Sequence, residues 1–245
     1  MHGSISVVMP VFNGEPFIAE AIESVLAQSR PASELIVVDD GSTDGSAAEA
    51  ERFGEVELIR TENRGPAAAR NTGVAESSGD LITFLDADDL MKPDRLERQA
   101  AALEDDPSAG FALGRGDVVM EPGVEPPAWL EEEKRAYMQM SLFTTKDAFE
   151  RVGPFDEELR LGDDTDWLFR AFEAGLRPAL VPEPVIVRRY HGRNISSDPR
   201  AMREAQFKLL RRRVARKRAT GRQAPVVPES VILGVPDVSS HDDDR

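Results

Sequence analysis

The sequence predicts an α/β protein: a mostly parallel β-sheet flanked by helices, with a basic helix near the C-terminal end. Three observations predict it. Short β-branched runs alternate with helical patterns through the first half of the chain, which is how βα units that feed a parallel sheet read in sequence. Pro, Gly, Asp and Ser punctuate the junctions between those segments. A chain of 245 residues, 40% hydrophobic and 31% charged, is long enough to bury one substantial core and is ordinary in balance for a globular domain.

The elements follow in order. Ile5 to Met9 (ISVVM) is the first strand, and Pro16 to Gln28 the helix after it, with Pro16 in the first turn and Ile18, Ile22, Val25 and Leu26 as its apolar stripe. Leu35 to Asp39 is the second strand, and its helix starts near Asp44 or Ser46, whose side-chain oxygens can cap free backbone amides. Val56 to Arg60 is a third strand, followed by an Ala-rich helix opening at Gly65-Pro66. Leu81 to Leu85 is a fourth, and a helix runs from Pro93 to about Glu104. After Phe111 the pattern weakens, and Glu121 to Trp129 is a loop by its Pro and Gly content. Helices return at Lys146 to Val152 and Asp164 to Ala174, and strands at Pro178 to Val181 and Val185 to Tyr190. A basic amphipathic helix covers Pro199 to Thr220, and from Gln223 onward there is no periodicity, as in a flexible tail.

Charge and composition narrow the function classes. The net charge of −15, from 45 acidic against 30 basic residues, argues against nucleic acid as a partner of the body of the protein. The basic residues concentrate between Met202 and Arg222 (KLLRRRVARKR), and the stretch His241 to Arg245 is mostly acidic. With no cysteine, disulfide and thiolate chemistry are excluded. No apolar run approaches bilayer-spanning length, and Met1 to Ser4 lead directly into a strand without the pattern of a signal peptide, so the expected location is cytoplasmic.

Ligands of open parallel sheets bind beyond the carboxyl ends of the strands. Pro10 to Gly14 follow the first strand, Asp39-Asp40-Gly41-Ser42 the second, Asn63-Arg64-Gly65 the third and Asp86-Ala87-Asp88-Asp89 the fourth. Parallel strands bring an aromatic ring, an arginine and several carboxylates to one edge. Taken singly, Asp40 to Asp44 also reads as a turn with a helix cap, and Asp86 to Asp89 as acids favoured by a helix dipole. Taken together, carboxylates crowded at one edge raise each other's pKa unless a cation sits among them, and a divalent metal resolves that conflict.

ISVVMPVFNGEPFIAEAIESVLAQS, ELIVVDDGSTDGS, NRGPAAARNTGV and GDLITFLDADDLMKPDRL stand in the order and spacing of family 2 glycosyltransferases, and the resemblance runs from about Ile5 to Ser196. It implies a GT-A fold, a Rossmann-like and mostly parallel sheet; a nucleotide diphosphate sugar as donor, most often a UDP-sugar; Mn²⁺ or Mg²⁺; and inversion at the anomeric carbon. By the resemblance, Phe12 packs on the nucleobase beside Pro10 and Asn13, Asp40 accepts from the base with Asp39 close behind, and Arg70 and Asn71 line the donor pocket. Asp86, Ala87 and Asp88 match the DxD motif, with Asp86 toward ribose and metal and Asp88 on the metal.

A second constellation, Val152 to Glu157 and Gly162 to Arg170, resembles the family's GxFDE segment and its ED motif, which makes Asp164 the catalytic base. Helix capping by Asp163 or Asp164 is the plainer alternative. Asp163 stands where the family has Glu, and Asp166 is the fallback base. Arg188 to Ser196 resembles the segment closing the catalytic core, so that His191 is a third metal ligand and Arg193 neutralises diphosphate charge.

The expected organisation is a catalytic domain over 1–197, with its donor part about 1–110 and its acceptor and base part about 111–197, a basic helix over 198–222 and a tail over 223–245. Leu209, Leu210 and Val214 form the apolar stripe of that helix. Three docking sites stay open for it: the inner face of an anionic membrane, a second subunit as in a homodimer, and the acidic body of its own chain. The acceptor, a glycan, a lipid-linked molecule or another, is unspecified, and its pocket is expected in the irregular stretch Gly114 to Met140. Two alternatives stand beside a glycosyltransferase. A sugar nucleotidyltransferase typically has a basic Gly-rich loop after its first strand, where this chain has Pro10 to Gly14. A module that binds donor without turning it over is the other.

Overall fold

The computed structural model describes residues 3–125 and 137–220. Its strands are β1 (Ile5–Val11), β2 (Glu34–Asp39), β3 (Val56–Arg60), β4 (Leu81–Phe84), β5 (Leu90–Met91), β6 (Phe111–Met120), β7 (Phe143–Thr145) and β8 (Pro178–Tyr190). Its α-helices are α1 (Ile18–Leu26), α2 (Ser46–Ala50), α3 (Pro66–Glu76), α4 (Arg95–Asp105), α5 (Lys146–Val152), α6 (Asp163–Glu173) and α7 (Pro199–Thr220). The strands form one sheet in the order β3-β2-β1-β4-β7-β6-β8-β5. β3, β2, β1 and β4 run parallel, and β7 lies antiparallel to both β4 and β6. The chain builds outward from β1 to β3 and then returns to β4 on the other side of β1, so the order reverses between β1 and β4. A crevice at the carboxyl ends of strands is expected at such a point.

Every residue of β1 is buried because helices cover both faces of the sheet. Ile5, Val7, Met9 and Val11 point into one core with Ile18, Ala21, Ile22 and Val25 of α1 and Leu96, Ala100 and Leu103 of α4. Val8 points the other way, into an aromatic core of Phe84, Phe111, Phe149, Phe155, Trp167 and Phe172. On α1 the fourth apolar contact is Ala21, and Leu26, expected in the stripe, is exposed. α3 opens as expected, with Pro66 in the first turn after Gly65, whose φ of 100° suits glycine.

The middle of the chain departs from expectation. Phe111–Met120, where the pattern weakens, is a ten-residue strand. Gly114 and Gly116 interrupt its alternation because side chains there would collide with Val185 and Met138. The two expected strands at 178–190 are one, β8, whose register against β6 shifts on either side of Arg115, opposite Pro182-Glu183-Pro184. Glu121 to Glu125 lack regular structure, as expected of the loop, and the rest of that stretch to Trp129 lies outside the described residues, as does the expected tail from Gln223.

α7 spans the expected Pro199–Thr220 and packs on the chain's own acidic body. Arg216 pairs with Asp166 and Glu173 at 2.8 Å each, and Arg212 pairs with Asp156 and Glu158. Leu209 is buried over Gly162, and the Arg213 guanidinium sits 4.7 Å from the Phe169 ring centroid. The expected stripe therefore divides: Leu209 faces inward, while Leu210 and Val214 face out. Among the described residues no helix is long and apolar enough to cross a membrane.

Candidate active site

Four loops meet where β1 to β4 end. Asn13, at a φ of 52° that asparagine tolerates, stitches the first loop to the second: its amide donates to Ser42 Oγ at 2.9 Å and its Oδ1 accepts from the Thr43 amide at 2.8 Å. Gly14 donates to Ser46 Oγ at 2.8 Å, and Asp44 Oδ1 accepts from the Ser46 amide at 3.0 Å, but the N-cap of α2 is Gly45, which has no side chain to cap with, so the expected cap by Asp44 or Ser46 is not formed. Asp39 accepts from the Ser42 amide at 2.9 Å. Asp40 reaches the third loop, where Oδ1 receives the Arg64 amide at 2.8 Å and Oδ2 the Gly65 amide at 2.7 Å. Pro10 is buried in the β1 ladder opposite Val38, whereas Phe12 stands 51% exposed at the mouth of the edge.

Asp86, Ala87, Asp88 and Asp89 follow β4, and each carboxylate has a different partner. Asp86 Oδ1 meets Arg70 Nη2 at 2.5 Å. Asp88 Oδ2 meets His191 Nε2 at 3.1 Å and Asn194 Nδ2 at 3.0 Å. The Arg193 amide contacts His191 Nδ1 at 3.3 Å, which places the ring proton on Nε2, the donor toward Asp88. Asp89 is buried and accepts from the Arg189 amide at 2.9 Å; burial and then the charges of Asp88 and Asp86 hold its carboxyl well above the usual range. Ala87 is buried beneath the loop.

Arg70, on α3, joins the two halves of the site. Its other nitrogen, Nη1, meets Asp163 Oδ2 at 2.6 Å at the start of α6. Burial alone would lower its pKa, but Asp163, Asp86 and Asp164 together hold it above the ordinary value. Arg70 pairs with both Asp86 and Asp163 and so offsets the crowding of their charges. Beside it Asp164 is partly exposed in a cleft lined by Arg70, Phe84, Asp86, Gln139, Met140, Leu142 and Phe155. Burial, then the Asp163 carboxylate, push the Asp164 carboxyl up to about 6 against the pull of Arg70. Asp164 Oδ1 accepts from the Thr165 amide at 2.6 Å, and Oδ2 takes no hydrogen bond among the described residues. Asp166, the fallback base, is buried and held by Arg170 at 2.9 Å and Arg216 at 2.8 Å, so it faces away from this chemistry.

Asn71 fastens the neighbouring loop: Nδ2 donates to the Phe155 carbonyl at 2.9 Å, and Oδ1 accepts from the Phe155 amide at 2.8 Å. That role fixes the cleft wall. The expected metal trio divides likewise, with Asp88 and His191 together and Asp86 turned to Arg70; among the described residues no three His, Asp or Glu side chains gather as a preformed metal site. Sequence reasoning missed Phe17, whose ring stacks on His191 at 4.5 Å and 12° and carries the Arg189 and Arg193 guanidinium groups over it at 5.0 and 5.5 Å. It also missed Asn194, although that residue lies inside the segment singled out for His191. Buried Arg95 was missed too. It donates to Thr83 Oγ1 and the Phe84 carbonyl at the end of β4, and burial lowers its pKa to about 9.

Residues 6–156 match the sequence model described as Glycosyl transferase family 2, and the chain belongs to that family. Glycosyltransferase AglE of Haloferax volcanii is 32% identical over 191 residues, 70% of this chain and 62% of AglE. The chain thus spans less than two thirds of that relative's length. In fold it resembles S. aureus TarS 1-349, solved with UDP, at a TM-score of 0.68 and 20% identity over 86% of this chain and 64% of that one. It also resembles the mannosyltransferase PcManGT of Pyrobaculum calidifontis, solved with GDP-Man and Mn²⁺, at a TM-score of 0.68 and 24% identity over 92% of this chain and 66% of that one. The fold is GT-A, as expected.

Proposed function

We propose that the protein transfers a sugar from a nucleotide diphosphate donor, most simply a UDP-sugar, to an acceptor hydroxyl, with inversion and with Asp164 as general base. One observation carries the reading: Arg70 ties the carboxylate ending β4, Asp86, to the one opening α6, Asp163, so that Asp86 and Asp164 line one cleft. Nucleotide diphosphate sugars are recorded in solved neighbours, UDP-GlcNAc in TarS 1-349 and GDP-Man in PcManGT.

Phe12 offers an exposed ring to the nucleobase, and Asp39 and Asp40 hold rigid the loops around it. Asp164 Oδ2 accepts the acceptor's proton as its oxygen attacks the anomeric carbon and the bond to the diphosphate breaks. A group titrating near 6 is ionised at neutral pH and still close enough to that pH to be an effective base. Gln139 and Met140, from the stretch expected to hold the acceptor, border the same cleft. Arg193 is exposed on the Phe17 shelf, where it can meet diphosphate charge.

Asp88 and His191 would hold a divalent cation, His191 through Nε2 in the tautomer whose proton lies on Nδ1: a carboxylate and an imidazole face each other, and hard cations in such sites complete their shell with substrate phosphates. Mn²⁺ or Mg²⁺ bound there supplies charge neutralisation of the departing diphosphate. Calorimetry with UDP- and GDP-sugars, with and without Mn²⁺, tests the reading together with transfer assays. Asp164→Asn should keep donor affinity and lose roughly 10²-fold or more in turnover. Asp88→Ala should lose the ion-dependent part of the affinity. Absence of any nucleotide diphosphate binding at every ion concentration, or full turnover in Asp164→Asn, overturns it.

A further inference from the structure

The two faces of α7 have different fates. Inward, Arg212 and Arg216 meet carboxylates of the body, and Arg213 lies on Phe169. Outward, Arg203, Lys208, Arg211, Lys217 and Arg218 are exposed, and none has a carboxylate partner among the described residues. In a chain of net charge −15, a row of unpaired cations along one exposed face selects an anionic partner. Three apolar side chains run through that row: Phe207 is 67% exposed, Leu210 59% and Val214 39%. Their spacing of three and then four residues keeps them on one side of the helix. Phosphate-rich polymers and acidic peptides would use the cations and leave the apolar stripe wet. A lipid surface uses both, because Arg and Lys stems extend to the headgroups while the ring and branched chains enter the acyl boundary.

We propose that the outer face of α7 is a docking surface for an anionic lipid bilayer, held at the surface and not spanning it. This does not rest on the glycosyltransferase reading. The full chain is incubated with vesicles of phosphatidylcholine alone, or with about one-third phosphatidylglycerol, and sedimented. The expected result is binding to the anionic vesicles at least roughly tenfold tighter than to the neutral ones, weakened at about 0.5 M NaCl. Arg203→Gln/Arg211→Gln/Arg218→Gln and Phe207→Ser/Leu210→Ser should each reduce that binding, with an unchanged melting temperature. Failure of the wild-type chain to sediment overturns the proposal. So does vesicle binding that depends on the cations but not on Phe207 and Leu210, which marks a general polyanion site. A melting temperature that falls in Phe207→Ser/Leu210→Ser shows the face covered by the chain itself, and a dimer that becomes a monomer shows it covered by a second copy; either overturns it.

Discussion

Asp164 is where the electrostatics of single residues become measurable. Its carboxyl is raised to about 6, so the folded state binds more protons than the unfolded state between about pH 4 and 6. Its contribution to stability is fully present below the unfolded value and is lost as pH rises through 6, so the ionised group opposes folding at neutral pH. Asp164→Asn is therefore expected to be more stable than wild type at pH 7.5, on the order of 1 kcal/mol after allowance for its partial exposure, and no more stable at pH 4. Thermal melts at the two pH values check this. Turnover has the opposite sign, because a base must be ionised: kcat/KM should rise with pH and level off above an apparent pKa near 6, and a flat profile between pH 5 and 8 would remove Asp164 from the role. Arg70 behaves differently, because its loss strands Asp163, a carboxylate only 4% exposed, without its partner. Arg70→Met should cost about 3 kcal/mol or more, and Arg70→Met/Asp163→Asn should recover much of it, since it also removes the buried charge and leaves only the more exposed Asp86 without its ion pair.

At the scale of elements, α3 carries Arg70 and Asn71 to the site and is seated by a glycine. A Cβ at Gly73 would collide with Val8 of β1 and come within 3.3 Å of Val38. Helix propensity favours alanine there by roughly 1 kcal/mol, while overpacking costs about 1–3 kcal/mol, so the collision wins. Gly73→Ala is expected to lose about 1 kcal/mol in denaturant melts and to lower donor affinity by shifting Arg70. The same element shows what the sequence reveals. Gly65-Pro66 announces the start of α3, and β-branched runs announce β1 to β4, because these signals are local. β6 was illegible because its glycines serve partners distant in sequence, Val185 and Met138, while β5 and β7 span two and three residues, too few for a period to register. Likewise their place after a strand pointed to Asp86 and Asp88, and the family resemblance to Asp164 and His191. The sequence could not tell that Asp86 turns to Arg70 and Asp88 to His191, since those pairings are tertiary. Asp166 shows the same limit. Only the placement of α7 reveals that a third acid in the first turn of α6 serves as an anchor.

For the whole molecule, the opposed charges of body and C-terminal helix make salt act with two signs. The body carries excess negative charge, so screening relieves its self-repulsion and leaves the sheet as stable or more so. α7 is seated on its body by Arg212 and Arg216, each about a quarter exposed, and by Leu209, the one apolar side chain buried among the described residues of the helix. Screening weakens those ion pairs and gives little in return, because so little apolar area holds the helix down. α7 should therefore open as a unit well below the free energy of global unfolding. Between about 0.05 and 0.5 M NaCl, amide exchange in α7 is expected to quicken by roughly three- to tenfold, while amides of β1, β2 and β4 exchange no faster. Arg216→Met should reproduce the fast exchange at low salt, because it leaves Asp166 with Arg170 alone. Exchange that responds to salt equally in helix and sheet would mean that α7 is an integral part of the core, and that its arginines are not what attaches it.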